Sequence, residues 1–111
     1  MIRIAISYPK TKNNNPAEQF DMDYYRERHM ALVEISYLPH GLIKRELDIP
    51  QIGLGEPPVF AICYLYFTNL QEVKNAFKQA GSIVLADMIN FTNVTPIVVV
   101  SEITTMGDSH E

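Results

Sequence analysis

The sequence holds one cysteine, Cys63, set in an apolar run. One cysteine cannot form an internal disulfide, and no Cys/His spacing suits a metal. There is no Gly-rich phosphate loop, no G-x-S-x-G turn and no redox cysteine pair. Positive charge is also scarce. Nine Lys and Arg stand against thirteen Asp and Glu, a formal charge of −4, which disfavours nucleic acid and anionic membrane surfaces as partners. The Lys44-Arg45 doublet sits in an expected strand and belongs to no basic cluster. No apolar stretch reaches the roughly 18 residues that a membrane helix needs. The first nine residues read as a strand before a polar loop, not as a signal peptide. These absences give the expectation of a cytoplasmic protein with no bound metal and no cofactor. His29, His40 and His110 are too scattered for a metal site, although one histidine suffices as an axial ligand to haem.

What is present suits one small globular domain. The chain has 111 residues, 47% hydrophobic and 20% charged, enough for a single core. The domain is expected over 1–105, with a flexible polar tail over 106–111. Residues 1–8 alternate Ile2, Ile4, Ile6 and Tyr8 with Arg3, Ala5 and Ser7, the period of a strand, and Pro9 should stop it. Residues 10–19 form a polar loop with an Asn run. A helix is expected over 21–37, capped by Asp21 and stapled by Phe20 against Tyr25. Its apolar face carries Met22, Tyr25, His29, Leu32 and Val33, with Met30 and Glu34 on the other side. Pro39 and Gly41 should end it.

Residues 42–49 read as a second strand and the Pro/Gly segment 50–58 as a loop. Residues 59–67, apolar on both faces, read as a central strand. Asn69 and Glu72 form a capping box for a second helix, which Gly81 should end, with a short further helix over 82–88. Residues 96–103 are the last strand. The order β-α-β-β-α-β is the ferredoxin-like arrangement, an α+β fold with both helices on one face of a four-stranded antiparallel sheet. The other face would be left bare, and packing against a second copy would cover it. Either Tyr64 and Tyr66 or Cys63 and Leu65 lie there, depending on register.

Tyr8-Pro9, the stretch FDMDYYRERHMALV (20–33), Gly41, ADMINFT (86–92) and Pro96 together resemble the EthD family of dimeric α/β-barrel proteins. The likeness spans nearly the whole chain in order. Family members often carry proline after H-x where this chain has Ala31, a packing difference that leaves His29 in place. The resemblance implies a ferredoxin-like fold, a homodimer through the open sheet face, and a cavity between sheet and helices. It implies little about chemistry. The family's name refers to ether degradation, and related barrels include cofactor-free monooxygenases, isomerases, cyclases and haem proteins.

His29 is the first candidate for chemistry. Its ordinary pKa lies near neutrality, so it can serve as acid or base, or sit neutral in the core with both ring nitrogens satisfied. Six tyrosines offer apolar rings with polar tips, suited to an aromatic ligand as well as to plain packing. Tyr8, Tyr25, Tyr64 and Tyr66 are the candidates for binding it. Asp87 is a further candidate, as a ligand contact, as the group that orients a histidine, or as a cap for its own turn. Arg45, on an apolar strand face, should snorkel or pair with a carboxylate.

The functional readings are three. The first is an enzyme holding a small hydrophobic or aromatic molecule, either an oxidoreductase of monooxygenase type or an isomerase or cyclase, with His29 moving a proton. The second is a non-catalytic ligand-binding or accessory protein of a catabolic pathway. The third is a purely structural dimer with a filled core.

Overall fold

A computed structural model describes residues 1–11 and 15–107. The remainder of the expected Asn-rich loop and the end of the expected flexible tail lie outside the described residues. Four strands, β1 (Ile2–Pro9), β2 (Lys44–Asp48), β3 (Val59–Phe67) and β4 (Ile97–Glu102), form one sheet in the order β2-β3-β1-β4. All pairings are antiparallel. The fold is α+β and ferredoxin-like, as the element order implies. β1 runs one residue further than expected, because its register against β3 shifts between Ser7 and Pro9 and accommodates the proline.

Helix α1 covers residues 22–37 and is not a plain α-helix. Met22–Tyr24 and Met30–Tyr37 are α-helical, while Tyr25–His29 form a π turn. Asp21 caps the start, its carboxylate accepting from the Tyr24 amide at 3.1 Å. The Phe20 and Tyr25 rings lie 5.0 Å apart, so the staple forms. The π turn overturns one expectation. Met30 is buried, not on the outer side, because the wide turn closes from the Met30 amide onto the Tyr25 carbonyl. The extra residue lets both His29 and Met30 face inward. Leu38–His40 form a 3-10 turn, and Gly41 ends it at φ 102°, where a side chain would be strained.

Helix α2 (Leu70–Ala86) starts at Asn69, whose side chain accepts from the Glu72 amide at 2.9 Å. It runs through Gly81 without a break, so the expected end there and the separate helix over 82–88 are corrected. Glycine weakens a helix interior by only about 1 kcal/mol relative to alanine. Tertiary packing outweighs that here, for α2 buries Val73, Ala76 and Ala80. A 3-10 turn (Asp87–Asn90) follows and leads to Phe91.

Both helices cover the sheet face that carries Ile4, Cys63, Leu65 and Phe67, all buried. Arg45 on that face of β2 pairs with Glu34 of α1, with Nε 2.7 Å from the carboxylate, which is the carboxylate pairing expected of it. The register pairs Tyr64 with Ala5 and Glu46, and Tyr66 with Arg3 and Lys44, on the opposite, open face. β4 lies at the sheet edge, and Ile97, Val98, Val99 and Val100 are all about half exposed.

Candidate functional site

The π turn places Tyr25 and His29 side by side on one wall, their rings nearly parallel and 5.6 Å apart. Phe91 closes on the histidine from the segment after α2, with ring centroids 4.5 Å apart. His29 is only 3% exposed. Its Nδ1 lies 2.9 Å from Oδ2 of Asp87. A carboxylate can only accept, so Nδ1 carries the proton and Nε2 carries the lone pair. The only side-chain hydrogen bond of the imidazole among the described residues is the one from Nδ1, which leaves Nε2 free to meet whatever enters beside it.

Asp87 is itself tightly held. The Tyr24 hydroxyl donates to Oδ1 at 2.6 Å and the Asn90 amide donates to the same oxygen at 3.0 Å. Partial burial alone would raise its pKa. The hydrogen bonds from Tyr24, Asn90 and His29 outweigh this and hold the carboxyl below its ordinary value. Burial acts on His29 in the opposite sense to the carboxylate beside it. Desolvation is the larger effect, and the histidine pKa falls below 6.5. At neutral pH His29 is therefore a neutral imidazole, oriented by a carboxylate and basic at Nε2.

His29 lines a cavity of about 440 Å3 between sheet and helices. Tyr8, Tyr25, Val33, Tyr37, Cys63, Leu65, Phe77, Met88, Pro96 and Val98 share its wall. No lysine, arginine or carboxylate does. The volume falls within the few hundred Å3 typical of small-molecule sites. Burial raises the pKa of Tyr8 and Tyr25 far above the ordinary tyrosine range and pushes Tyr37 and the Cys63 thiol up to about 12. All four stay protonated at neutral pH, so Cys63 is no thiolate nucleophile. Among the described residues the Tyr25 hydroxyl is buried without a hydrogen-bond partner of good geometry, although the Tyr8 hydroxyl and the Cys63 thiol are close enough to raise its pKa. Among the described residues no group of three or more His, Cys, Asp or Glu side chains could hold a metal ion.

The structure thus unites three of the six expected site residues, Tyr8, Tyr25 and His29, around one cavity. Two expectations are corrected. Tyr64 and Tyr66 do not reach the cavity, because they alternate with Cys63 and Leu65 and point to the open face. There the Tyr66 hydroxyl donates to Glu46, and the Arg3 guanidinium lies 4.9 Å above the Tyr64 ring. Asp87 does not line that cavity either. It lies outside the cavity wall and binds the histidine from behind, while Asn90 shows that it also holds its own turn. The sequence reading missed Tyr24 and Phe91 as partners of the dyad. Both lie within the stretches FDMDYYRERHMALV and ADMINFT, so their proximity to the motif was the available signal.

Comparison with known proteins finds no matching family model and no matching curated protein sequence. Solved structures do match. An EthD-like protein from Ralstonia eutropha superposes with a TM-score of 0.79 at 22% identity, over 98% of this chain and 96% of that one. An ethyl tert-butyl ether D (EthD) family protein from Bacillus halodurans gives 0.71 at 17% identity, over 94% and 99%. SnoaB, a cofactor-independent oxygenase from Streptomyces nogalater, gives 0.55 at 10% identity, over 99% and 97%. The chain therefore has the fold of EthD-like proteins. At these identities the likeness establishes shared architecture and no shared reaction. Among the described residues no helix is long and apolar enough to cross a membrane.

Proposed function

We propose that the chain is an EthD-like enzyme that takes a small, hydrophobic organic molecule into the cavity and moves a proton with His29. The observation that carries this reading is the His29–Asp87 pair at 2.9 Å, with His29 in the wall of a largely apolar cavity and Asp87 behind it. A histidine buried only for packing would have both nitrogens satisfied. This one has its Nδ1 fixed and its Nε2 without a partner. Neutral imidazole with an orienting carboxylate is the form of a general base. Removal of a proton from an activated carbon serves both isomerisation and the first step of cofactor-free oxygenation, the activity in the name of SnoaB.

The test has two parts. Binding of tetralin, an uncharged bicyclic hydrocarbon, should be saturable and should shift the ring resonances of His29. Binding that leaves those resonances unmoved would place the ligand elsewhere. Any molecule that co-purifies with the protein should then be identified by mass spectrometry and incubated with wild type and His29→Gln. Loss of turnover in the folded variant supports the base. A ligand returned unchanged by wild type favours the non-catalytic carrier instead.

The working unit in this reading is a homodimer joined through the open sheet face. Among the described residues Arg3 Nε is buried on that face without a partner, and Ile97 and Val99 lie half exposed on the same face of the neighbouring strand β4. A second copy would cover the apolar residues and offer acceptors to the arginine. Light scattering at micromolar concentration should report a dimer, and a monomer there would refute it.

A further inference from the structure

The cavity contains a second polar feature that a simple greasy pocket does not need. Tyr25 is 1% exposed, and among the described residues its hydroxyl has no hydrogen-bond partner of good geometry, although the Tyr8 hydroxyl and the Cys63 thiol lie near it. An unsatisfied buried hydroxyl is costly, and replacing it by hydrogen would relieve that cost. The group also sits on the same π turn as His29, with the two rings stacked in the same wall. π turns of this kind are frequent at functional sites. A hydroxyl that stays a donor, beside an imidazole that stays an acceptor, complements a ligand with an oxygen next to an acidic C–H.

We infer that Tyr25 and His29 form a two-point station for an uncharged, enolisable aromatic ketone. Tyr25 O–H donates to the carbonyl oxygen, and His29 Nε2 removes a proton from the adjacent carbon. The inference rests on the ligand cavity and base proposed above and adds the class of substrate. The step balances without an oxidant. The C–H bond breaks, its proton passes to Nε2, and its electron pair moves through the new C=C bond onto the carbonyl oxygen. The enolate oxygen then accepts the Tyr25 hydrogen bond, which strengthens as charge develops. Reversal of the step returns the proton from Nε2 to the carbon as the electron pair moves back from oxygen.

The wall also says what the ligand is not. It contains no lysine or arginine, and the Arg45 guanidinium is engaged by Glu34. A carboxylate taken into this space would lack a counter-charge and bear a heavy desolvation cost. Planar apolar rings are favoured by the aromatic wall, where the Tyr8 and Tyr25 rings meet edge-on with centroids 5.5 Å apart and Tyr37 and Phe77 also contribute.

Three probes of matched shape separate the possibilities: 2-tetralone, tetralin and 2-naphthoate. Wild type should bind 2-tetralone roughly three- to tenfold more tightly than tetralin, the yield of one buried hydrogen bond. Tyr25→Phe should bind tetralin unchanged and lose that preference. In D2O, wild type should accelerate deuterium uptake at the carbons flanking the ketone, read by mass spectrometry. Tyr25→Phe and His29→Gln should both slow it, and only His29→Gln should keep the ketone preference. A Tyr25→Phe variant that retains both preference and exchange rate overturns the inference while leaving the cavity and the base standing. Tighter binding of 2-naphthoate than of 2-tetralone overturns the neutral class. If wild type binds neither tetralin nor 2-tetralone, the cavity reading itself fails and takes this inference with it.

Discussion

The two faces of the sheet carry the same residue type in opposite circumstances. On the open face, the Tyr66 hydroxyl donates to Glu46, and Arg3 and Lys44 lie over the rings of Tyr64 and Tyr66. On the covered face, Tyr25 is buried with its hydroxyl unpartnered. One face is thus a polar–aromatic surface laid on strands, where the Tyr66 hydroxyl is satisfied and, among the described residues, Arg3 Nε is buried without a partner. The other is an apolar chamber with a few unspent polar tips. Buried polar groups are rarely left alone in folded proteins, which is why the proposed ligand is set against Tyr25 and the proposed second copy against Arg3. A tyrosine count cannot make this distinction, because only the partners of each hydroxyl separate the two roles.

The contrast can be broken or sharpened by substitution. The largest effect should come from packing. Leu65→Ala, at a fully buried position on the covered face, should cost about 2–5 kcal/mol in urea unfolding. Ile62→Ala on the open face, where the side chain is half-buried, should cost less than half as much in a dilute monomer. Equal losses would mean that the open face is as solid a core as the covered one.

Next comes the dyad. Asp87→Asn removes the carboxylate that raises the histidine pKa against burial, so the His29 pKa should fall further. The amide also ceases to fix the Nδ1–H tautomer. Ketone exchange should drop on the order of tenfold or more, a part of what general-base catalysis contributes. An NMR titration in which His29 does not move would separate Asp87 from this role.

pH gives a third test. The folded His29 pKa lies below the unfolded value of 6.5, so below that value the unfolded chain binds more protons. Stability from this group is complete above about pH 6.5 and is lost as pH falls towards the folded pKa. The slope cannot exceed about 1.4 kcal/mol per pH unit for one proton. Asp87 acts in the same direction at lower pH, because its folded pKa is also depressed. His29→Gln should flatten the loss just below pH 6.5. An unchanged profile in that variant would assign the loss to other groups.

The smallest effects should differ in sign. Tyr66→Phe deprives Glu46 of a donor and should destabilise by under about 1 kcal/mol. Tyr25→Phe in the ligand-free protein should be neutral or slightly stabilising, since it removes an unsatisfied hydroxyl. Thermal melts of the two variants read this directly. A clear loss for Tyr25→Phe would show that its hydroxyl has a structural partner.

Much of the fold was legible locally. The period-two run at 2–8 and the apolar run at 59–67 are strands, and Asp21 and Asn69 cap the helices as their chemistry requires. These features depend on neighbours within a few residues. The failures have a common cause in longer-range packing. Glycine is a weak helix former, so Gly81 predicts a helix end, yet burial of Val73, Ala76 and Ala80 carries α2 past it. A 3.6-residue period places Met30 outside, whereas the π turn formed by Tyr25–His29 brings it in.

The sequence by itself determined the order of elements, the two amphipathic helices and the alternation that keeps Tyr64 and Tyr66 together on one side of β3. It singled out His29 as the residue that helix physics leaves unexplained. Only the tertiary structure decided which face of β3 the helices cover, because alternation defines two sides without saying which is inner. Only it brought Asp87 to His29, residues 58 apart in the chain, through a crossover that no local pattern encodes. The cavity, too, is a property of how two helices meet a sheet, set by the volume that their side chains leave unfilled.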